Sequence, residues 1–169
     1  MMRTIVRVID SINEWTGKTI RWACVVLVLV LCYEVTVRYV FNAPTIWAHQ
    51  TSCMLGGTIV ALGWAYTHLH HGHVRVDVFY THLSPRGKAI IDVLCAFFLL
   101  FPLLAILIYT AAEFMWVAWS RGEVLIESYW YPPSGPIRTV MLLGLCLFAL
   151  QGVAQFIRDL SLLVRNKPL

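Results

Sequence analysis

The sequence predicts an all-α membrane protein with four transmembrane helices, preceded by an N-terminal amphipathic interfacial helix. Four long apolar stretches fill most of the 169 residues, at about 19–41, 45–68, 89–119 and 136–157. Each can cross the hydrocarbon core of a bilayer, which takes about 20 residues of helix. The composition agrees, because 59% of the residues are hydrophobic, 13% are charged and the mean hydropathy is +0.72. We therefore expect the helices, the short loops or a partner chain to carry the function.

The first predicted element is the amphipathic helix, over residues 1–18. Its apolar side chains recur at helical spacing and lie opposite its charged ones. The apolar set is Ile5, Val8, Ile9, Ile12 and Trp15, and the polar set is Arg3, Arg7, Asp10, Ser11 and Lys18. A helix of this kind suits the headgroup boundary of the inner leaflet. The alternative is an ordinary lead-in helix in water, packed on the loops.

Residues 19–169 are predicted to form one four-helix transmembrane domain with a cytoplasmic C-terminal tail. Only residues 42–44 separate the first two spans, which must therefore form an antiparallel hairpin, with Thr45 as a candidate helix cap. The third stretch, 89–119, is longer than a bilayer requires. We expect it to tilt, bend or protrude, with a kink at Pro102.

The distribution of basic residues predicts that both termini are cytoplasmic. Lysine and arginine near the ends of spans favour the cytoplasmic side. They are concentrated in the N-terminal segment, the middle loop and the C-terminal tail, at Arg3, Arg7, Lys18, Arg21, Arg75, Arg86, Lys88, Arg158, Arg165 and Lys167. The connection 42–44 has none, and the loop 120–135 balances one arginine with two glutamates and carries three aromatic residues. These two segments are therefore expected at the outer surface.

The composition also excludes several classes of function. The net charge of +4 comes from basic residues that flank helices, where lipid phosphate explains them, so no nucleic-acid partner is expected. All five cysteines lie inside apolar stretches, which argues against disulfides, a zinc motif and the paired cysteines of a thiol oxidase. No serine, histidine and carboxylate set has a recognisable signature, so the sequence predicts no enzyme.

An ion pair is predicted on the first span. Glu34 precedes Arg38 by four residues, which is the favoured order for a same-face pair on a helix. Ionisable groups at membrane depth commonly contact a partner helix or a lipid headgroup. The alternative is a pair near the outer interface whose charged ends reach the headgroups.

Further polar side chains in the second and third spans have two interpretations. His49 and Gln50 lie one turn into the second span, and Asp92 and Glu113 lie near opposite ends of the third. These four side chains could form a continuous polar seam. Ordinary interhelical hydrogen bonds and headgroup contacts are the alternative, because all four lie close to an interface.

Four histidines form the most conspicuous cluster, at His68, His70, His71 and His73. Imidazoles this close together suggest a transition metal. However, the nearby sequence adds no thiolate and one carboxylate, Asp77, so a polar cytoplasmic loop is the better interpretation. Membrane haem would need histidines deep in facing helices, and of the six histidines His49 alone lies clearly within a span. We therefore expect neither a metal nor any other cofactor.

Several short motifs, taken in order, resemble those of one transporter family. They are Arg38-Tyr39-Val40-Phe41-Asn42, Trp47, Gly63, His73-Val74-Arg75-Val76-Asp77, the Pro132-Pro133 turn, and Leu150-Gln151 with Ile157-Arg158-Asp159. In this order and spacing the chain resembles the small, DctQ-like membrane subunit of a tripartite ATP-independent periplasmic (TRAP) transporter. It departs from the family after Trp47, where Ala48-His49-Gln50 stand in place of the usual acidic residues.

The resemblance implies a non-catalytic subunit of the bacterial inner membrane. In such a transporter a large membrane subunit moves as an elevator in sodium-coupled uptake, and a periplasmic binding protein delivers an organic acid. The small subunit widens the static scaffold. The residues expected to contact the partner subunits or membrane lipids are Glu34, Arg38, Asn42, Trp47, His49, Gln50, His73, Arg75 and Asp77. Gly56, Gly57 and Gly63 would permit close helix approach, either to the partner or inside the bundle.

Two other functions stay open at this point. A redox membrane anchor that carries haem or quinone would use His49 and the cytoplasmic histidines. A stand-alone small transporter is the other, but the chain lacks the internal repeats and broken helices typical of that class.

Overall fold

The computed structural model describes residues 2–70, 72, 85–127 and 129–165. Its elements are α1 (Met2–Val40), α2 (Ala48–Leu69), α3 (Pro85–Cys95), a π-helical turn (Ala96–Leu100), α4 (Phe101–Arg121) and α5 (Gly135–Arg165). Within these ranges the one β interaction is an isolated bridge between Val124 and Pro133. The prediction of an all-α protein is confirmed.

Three helical segments in the described part of the chain are long and apolar enough to cross a membrane. They are Arg3–Val40, Gly87–Arg121 and Gly135–Val164. With 22 residues, α2 also has the length of a span. Its histidines, threonines and glycines lower its hydropathy, however. A membrane crossing by α2, and with it the predicted count of four spans, is not confirmed. This helix packs against both α1 and α5, which cover two of its sides.

The predicted interfacial helix and the first span are one uninterrupted helix, α1. The apolar stripe of its first half is exposed, at Ile5, Val8, Ile12 and Trp15. Val6 and Asn13, on roughly the opposite side, are buried against the rest of the bundle. The amphipathic pattern is therefore present, but a separate interfacial helix is not confirmed.

The third predicted stretch is irregular close to Pro102, as expected. A π-helical turn, Ala96–Leu100, separates α3 from α4, and the backbone N–H of Phe101 donates to the carbonyl of Ala96, five residues back. Proline has no N–H, and its ring collides with the carbonyl four residues before it. A wider turn immediately before Pro102 relieves this crowding, because π turns absorb one extra residue.

The centre of the bundle lies where α2 meets α5. Ala61 of α2 and Ala154 of α5 are fully buried. The backbones come closest at Gly144, where an added Cβ would lie 2.4 Å from the carbonyl oxygen of Ala61. An added Cβ at Gly56 or Gly63 would instead meet nothing within 4 Å. These two glycines of α2 therefore do not provide close packing inside the bundle.

Candidate functional site

The bundle has two ends, and polar contacts lie at both. The connection end holds residues 41–47 and 122–134. The terminal end holds the start of α1, the end of α2 and the end of α5. The α1 and α5 helices are antiparallel, because Asn13 bonds to Gln151, whereas Asp10, which comes earlier on α1, reaches Arg158, which comes later on α5.

At the connection end, Glu34 holds α1 to the segment that leads into α2. Its side chain is 11% exposed, and its Oε1 accepts hydrogen bonds from Arg38 Nε at 2.9 Å and Nη2 at 2.5 Å. Its Oε2 accepts from the backbone N–H of Thr45 at 3.3 Å and from the Thr45 hydroxyl. The carboxylate thus pairs with Arg38 along the helix, as the spacing indicates, and also fixes the connection.

Thr45 does not cap α2, contrary to the sequence-based expectation. The helix begins at Ala48, and Trp47 occupies the N-cap position without a side-chain capping bond. The hydroxyl of Thr45 is directed to Glu34 instead. As a cap, the hydroxyl oxygen would accept from a backbone N–H at the helix start; here the hydroxyl donates to an ionised carboxylate, and such a charge-assisted bond is stronger than a neutral one.

Asn42 and Trp47 shape the same connection. Asn42 has a φ of 51°, a left-handed conformation that asparagine tolerates better than most residues. The Trp47 ring stacks on Tyr33 of α1, with centroids 5.8 Å apart and planes at 27°. Both residues therefore have a structural part in the turn between α1 and α2.

The structure does not bring together His49, Gln50, Asp92 and Glu113, for which a continuous polar seam was one of two interpretations. His49 is exposed, with its Nε2 3.8 Å from the sulfur of Cys53, whereas Gln50 is buried. Asp92 lines a cavity beside His68, which lies at the other end of α2 from His49. Glu113 lies on the exposed side of α4. The length of the apolar stretches could not show which helix faces meet.

At the terminal end, Glu14 joins α1 to the end of α2. Its carboxylate contacts Lys18 Nζ at 3.0 Å and His70 Nε2 at 2.8 Å. The His70 ring also packs at an angle on Tyr66, with centroids 4.5 Å apart. These contacts give His70, one of the four clustered histidines, a structural role.

The other histidines of the cluster do not share that position. His68 packs edge-on against Phe148 of α5, with ring centroids 5.3 Å apart. His71 and His73, together with Arg75 and Asp77, lie outside the described residues. Among the residues that the structure does describe, no group of three or more histidine, cysteine, aspartate or glutamate side chains could hold a metal ion.

A second polar contact at the terminal end joins α1 to α5 and was not anticipated. Asn13 Nδ2 donates to Gln151 Oε1 at 2.6 Å, and Gln151 Nε2 donates to Asp10 Oδ1 at 3.1 Å. Asp10 also pairs with Arg158. Asn13 and Gln151 are 1% and 0% exposed. The sequence could have indicated this contact, because polar residues recur at spacings of three and four on each helix, at Asp10 and Asn13 on α1 and at Gln151, Gln155 and Arg158 on α5.

At the connection end, the loop between α4 and α5 is held in a closed form by its own hydrogen bonds. Gly122 ends α4 in the left-handed conformation, with a φ of 61°. The N–H of Leu125 then donates to the carbonyl of Pro132 at 2.8 Å. Arg138 of α5 reaches Glu123 at 2.7 Å. The described part of this loop is therefore compact, and its Glu123 pairs with an arginine of α5.

Residues 27–162 match the family model of the DctQ component of tripartite ATP-independent periplasmic transporters. The chain belongs to this family. The match confirms the resemblance found in the short motifs, and it makes the chain a small, multi-pass membrane component of such a transporter. A comparison with curated proteins found no match.

The geometry gives no support to a haem-carrying anchor. His49 and His68 lie near opposite ends of α2, about 28 Å apart by helical rise. One haem iron cannot be held by two imidazoles at that separation. The family match, over residues 27–162, also assigns the chain to a transporter.

Proposed function

We propose that this DctQ component is the static, non-catalytic scaffold of its transporter. A large membrane subunit carries the substrate and sodium sites and moves as an elevator. A periplasmic binding protein delivers an organic acid to it. The match over residues 27–162 carries this proposal. The extensive exposed apolar surface of α1 and α4 supports it, because a scaffold has to be anchored broadly in lipid.

The scaffold proposed here has four spans with both termini cytoplasmic, and the contacts between α1 and α2 support that arrangement. Glu34 bonds to Thr45 at the connection end, and Glu14 bonds to His70 at the terminal end. About 20 residues of helix separate the two glutamates, a rise of about 30 Å, which is the thickness of the hydrocarbon core. The two polar contacts then lie at the two membrane interfaces. The α2 helix runs between them and is also a span, which brings the number of spans to four.

One side of α2 is the proposed contact with the large subunit. Cys53, Gly56, Val60 and Gly63 recur at spacings of three and four residues and share that side. Cys53 is exposed, Val60 is 56% exposed, and the two glycines have open space before them. Small residues on a membrane helix allow a partner helix to approach closely.

Reconstituted uptake tests the scaffold function. Proteoliposomes would contain the cognate large subunit and binding protein, with or without this chain, under a sodium gradient. We expect accumulation of the organic acid only when this chain is present, together with stable co-purification of the two membrane subunits.

Two results would contradict the proposal. One is full uptake by the large subunit and binding protein in the absence of this chain. The other is uptake by this chain alone, which would place a substrate site within its own helices.

A further inference from the structure

We propose that the terminal end of the bundle carries a binding site for a phosphate group, supplied by the headgroup of an anionic phospholipid. The site is a cavity of about 270 Å³ between the start of α1 and the end of α5. It is lined by Arg3, Val6, Arg7, Asp10 and Arg158. The family match begins at residue 27, so the α1 side of this cavity lies before the matched region.

The charges around the cavity favour an anion. Three guanidinium groups line it, and Asp10 is the one carboxylate among the described residues that does so. Asp10 already pairs with Arg158 and accepts a hydrogen bond from Gln151. No ion pair joins Arg3 or Arg7 to a carboxylate of the described residues, so both present positive charge to the cavity. Guanidinium groups bind phosphate oxygens with paired, charge-assisted hydrogen bonds.

The two free arginines share one side of α1. Arg3 and Arg7 are four residues apart, one turn of helix, and both are exposed. Arg158 reaches the same cavity from α5 and is fixed there by Asp10. Two helices thus supply the cation donors. A buried contact, from Asn13 to Gln151 at 2.6 Å, holds these helices together about one turn away.

The position of the cavity indicates a lipid as the source of the phosphate. Ile5, Val8 and Ile12 form an exposed apolar stripe on the same turns of α1. Arg3 and Arg7 lie beyond the Glu14 to His70 contact, which marks the proposed boundary of the hydrocarbon core. That stripe is on the side of α1 away from the cavity, so α1 presents an apolar face to lipid on these turns. A basic pocket on such a helix, at the depth of the headgroups, matches the phosphate of an anionic phospholipid.

The test measures lipid retention by the purified, detergent-solubilised chain. Native mass spectrometry would follow binding of added phosphatidylglycerol, with phosphatidylcholine and inorganic phosphate as separate arms. The variant R3Q/R7Q removes the two free arginines. The matched control, R21Q/R121Q, removes the same charge at exposed positions outside the cavity. The variant R3K/R7K keeps the charge but loses the paired geometry.

We expect the wild-type chain and R21Q/R121Q to retain phosphatidylglycerol equally, and in preference to phosphatidylcholine. R3Q/R7Q should bind it roughly 25-fold more weakly, because each basic residue at a lipid surface contributes about a fivefold gain in affinity. R3K/R7K should fall between them. Inorganic phosphate that binds the wild-type chain and displaces the lipid would support the phosphate site with a soluble source. Equal retention by R3Q/R7Q and R21Q/R121Q, with no specific phosphate binding, would overturn the proposal.

Discussion

At the scale of single residues, a few buried polar groups connect the helices. Asn13 and Gln151 are almost completely buried and bond to each other across α1 and α5. In lipid, apolar surface gives helices little reason to associate, so packing and interhelical hydrogen bonds determine which faces meet. This amide pair therefore specifies the register of α1 against α5.

Truncating either amide should destabilise the bundle by about 1–2 kcal/mol, because the remaining amide is left buried with fewer partners. We expect Asn13→Ala and Gln151→Ala each to show this loss in a denaturant titration in detergent micelles. The double variant should lose less than the sum of the two single changes, since the shared bond is removed once. Strict additivity would show that the two side chains do not act together.

Replacing both amides by leucine provides the control for this prediction. Asn13→Leu combined with Gln151→Leu removes the bond but leaves no unpaired amide, so stability should stay close to that of the wild type. A loss as large as that of the alanine variants would instead indicate that the hydrogen bond itself, and not the penalty for an unpaired amide, stabilises the bundle.

At the scale of helices, the two sides of α2 have different roles. One side meets α5, where Gly144 approaches the backbone of Ala61 too closely for any side chain. On the other side, an added Cβ at Gly56 or Gly63 would meet no atom of the described residues within 4 Å. Glycine thus serves helix packing inside the bundle at Gly144 and leaves an open surface at Gly56 and Gly63.

Matched substitutions should separate these roles. Gly144→Leu has to displace the backbone of α2, so we expect loss of folded protein in size-exclusion chromatography. The Cβ of Gly56→Leu has open space among the described residues, so this variant should fold normally. It should nevertheless reduce co-purification with the large subunit severalfold, because it blocks close helix approach. Wild-type co-purification of Gly56→Leu would place the partner elsewhere, with lipid on this side of α2.

The helices could be predicted from the sequence to a greater extent than their contacts. Apolar length gave α1, α4 and α5, and Pro102 indicated where the third stretch becomes irregular. Periodicity could not show that the charged side of residues 1–18 packs inward through Asp10 and Asn13, because an exposed apolar stripe next to lipid has the pattern of a buried one in water. The hydrogen bonds between Glu34 and Thr45 could not be predicted either, because the local spacing indicated only the ion pair with Arg38.

At the scale of the whole molecule, the two polar contacts between α1 and α2 predict how the chain lies in the membrane. If they lie at the two interfaces, the connection 41–47 is periplasmic, and the end of α2 is cytoplasmic. The α2 helix then crosses although its hydropathy is modest, because α1 and α5 pack against two of its sides and shield much of it from lipid. Three spans without α2 would instead place the connection end of α1 and the start of α3 on the same side.

Cysteine labelling distinguishes these arrangements. In a chain whose five native cysteines are replaced by alanine, Ala43→Cys should react with a membrane-impermeant maleimide added to intact cells. His70→Cys should react only after the cells are opened, because about 33 Å of α2 helix separates the two ends. Ile126→Cys, in the exposed loop after α4, should also react in intact cells, because four spans return this loop to the periplasm, whereas three spans without α2 would leave it in the cytoplasm. Labelling of His70→Cys in intact cells would mean that α2 returns to the side from which it started, and the four-span scaffold would be wrong.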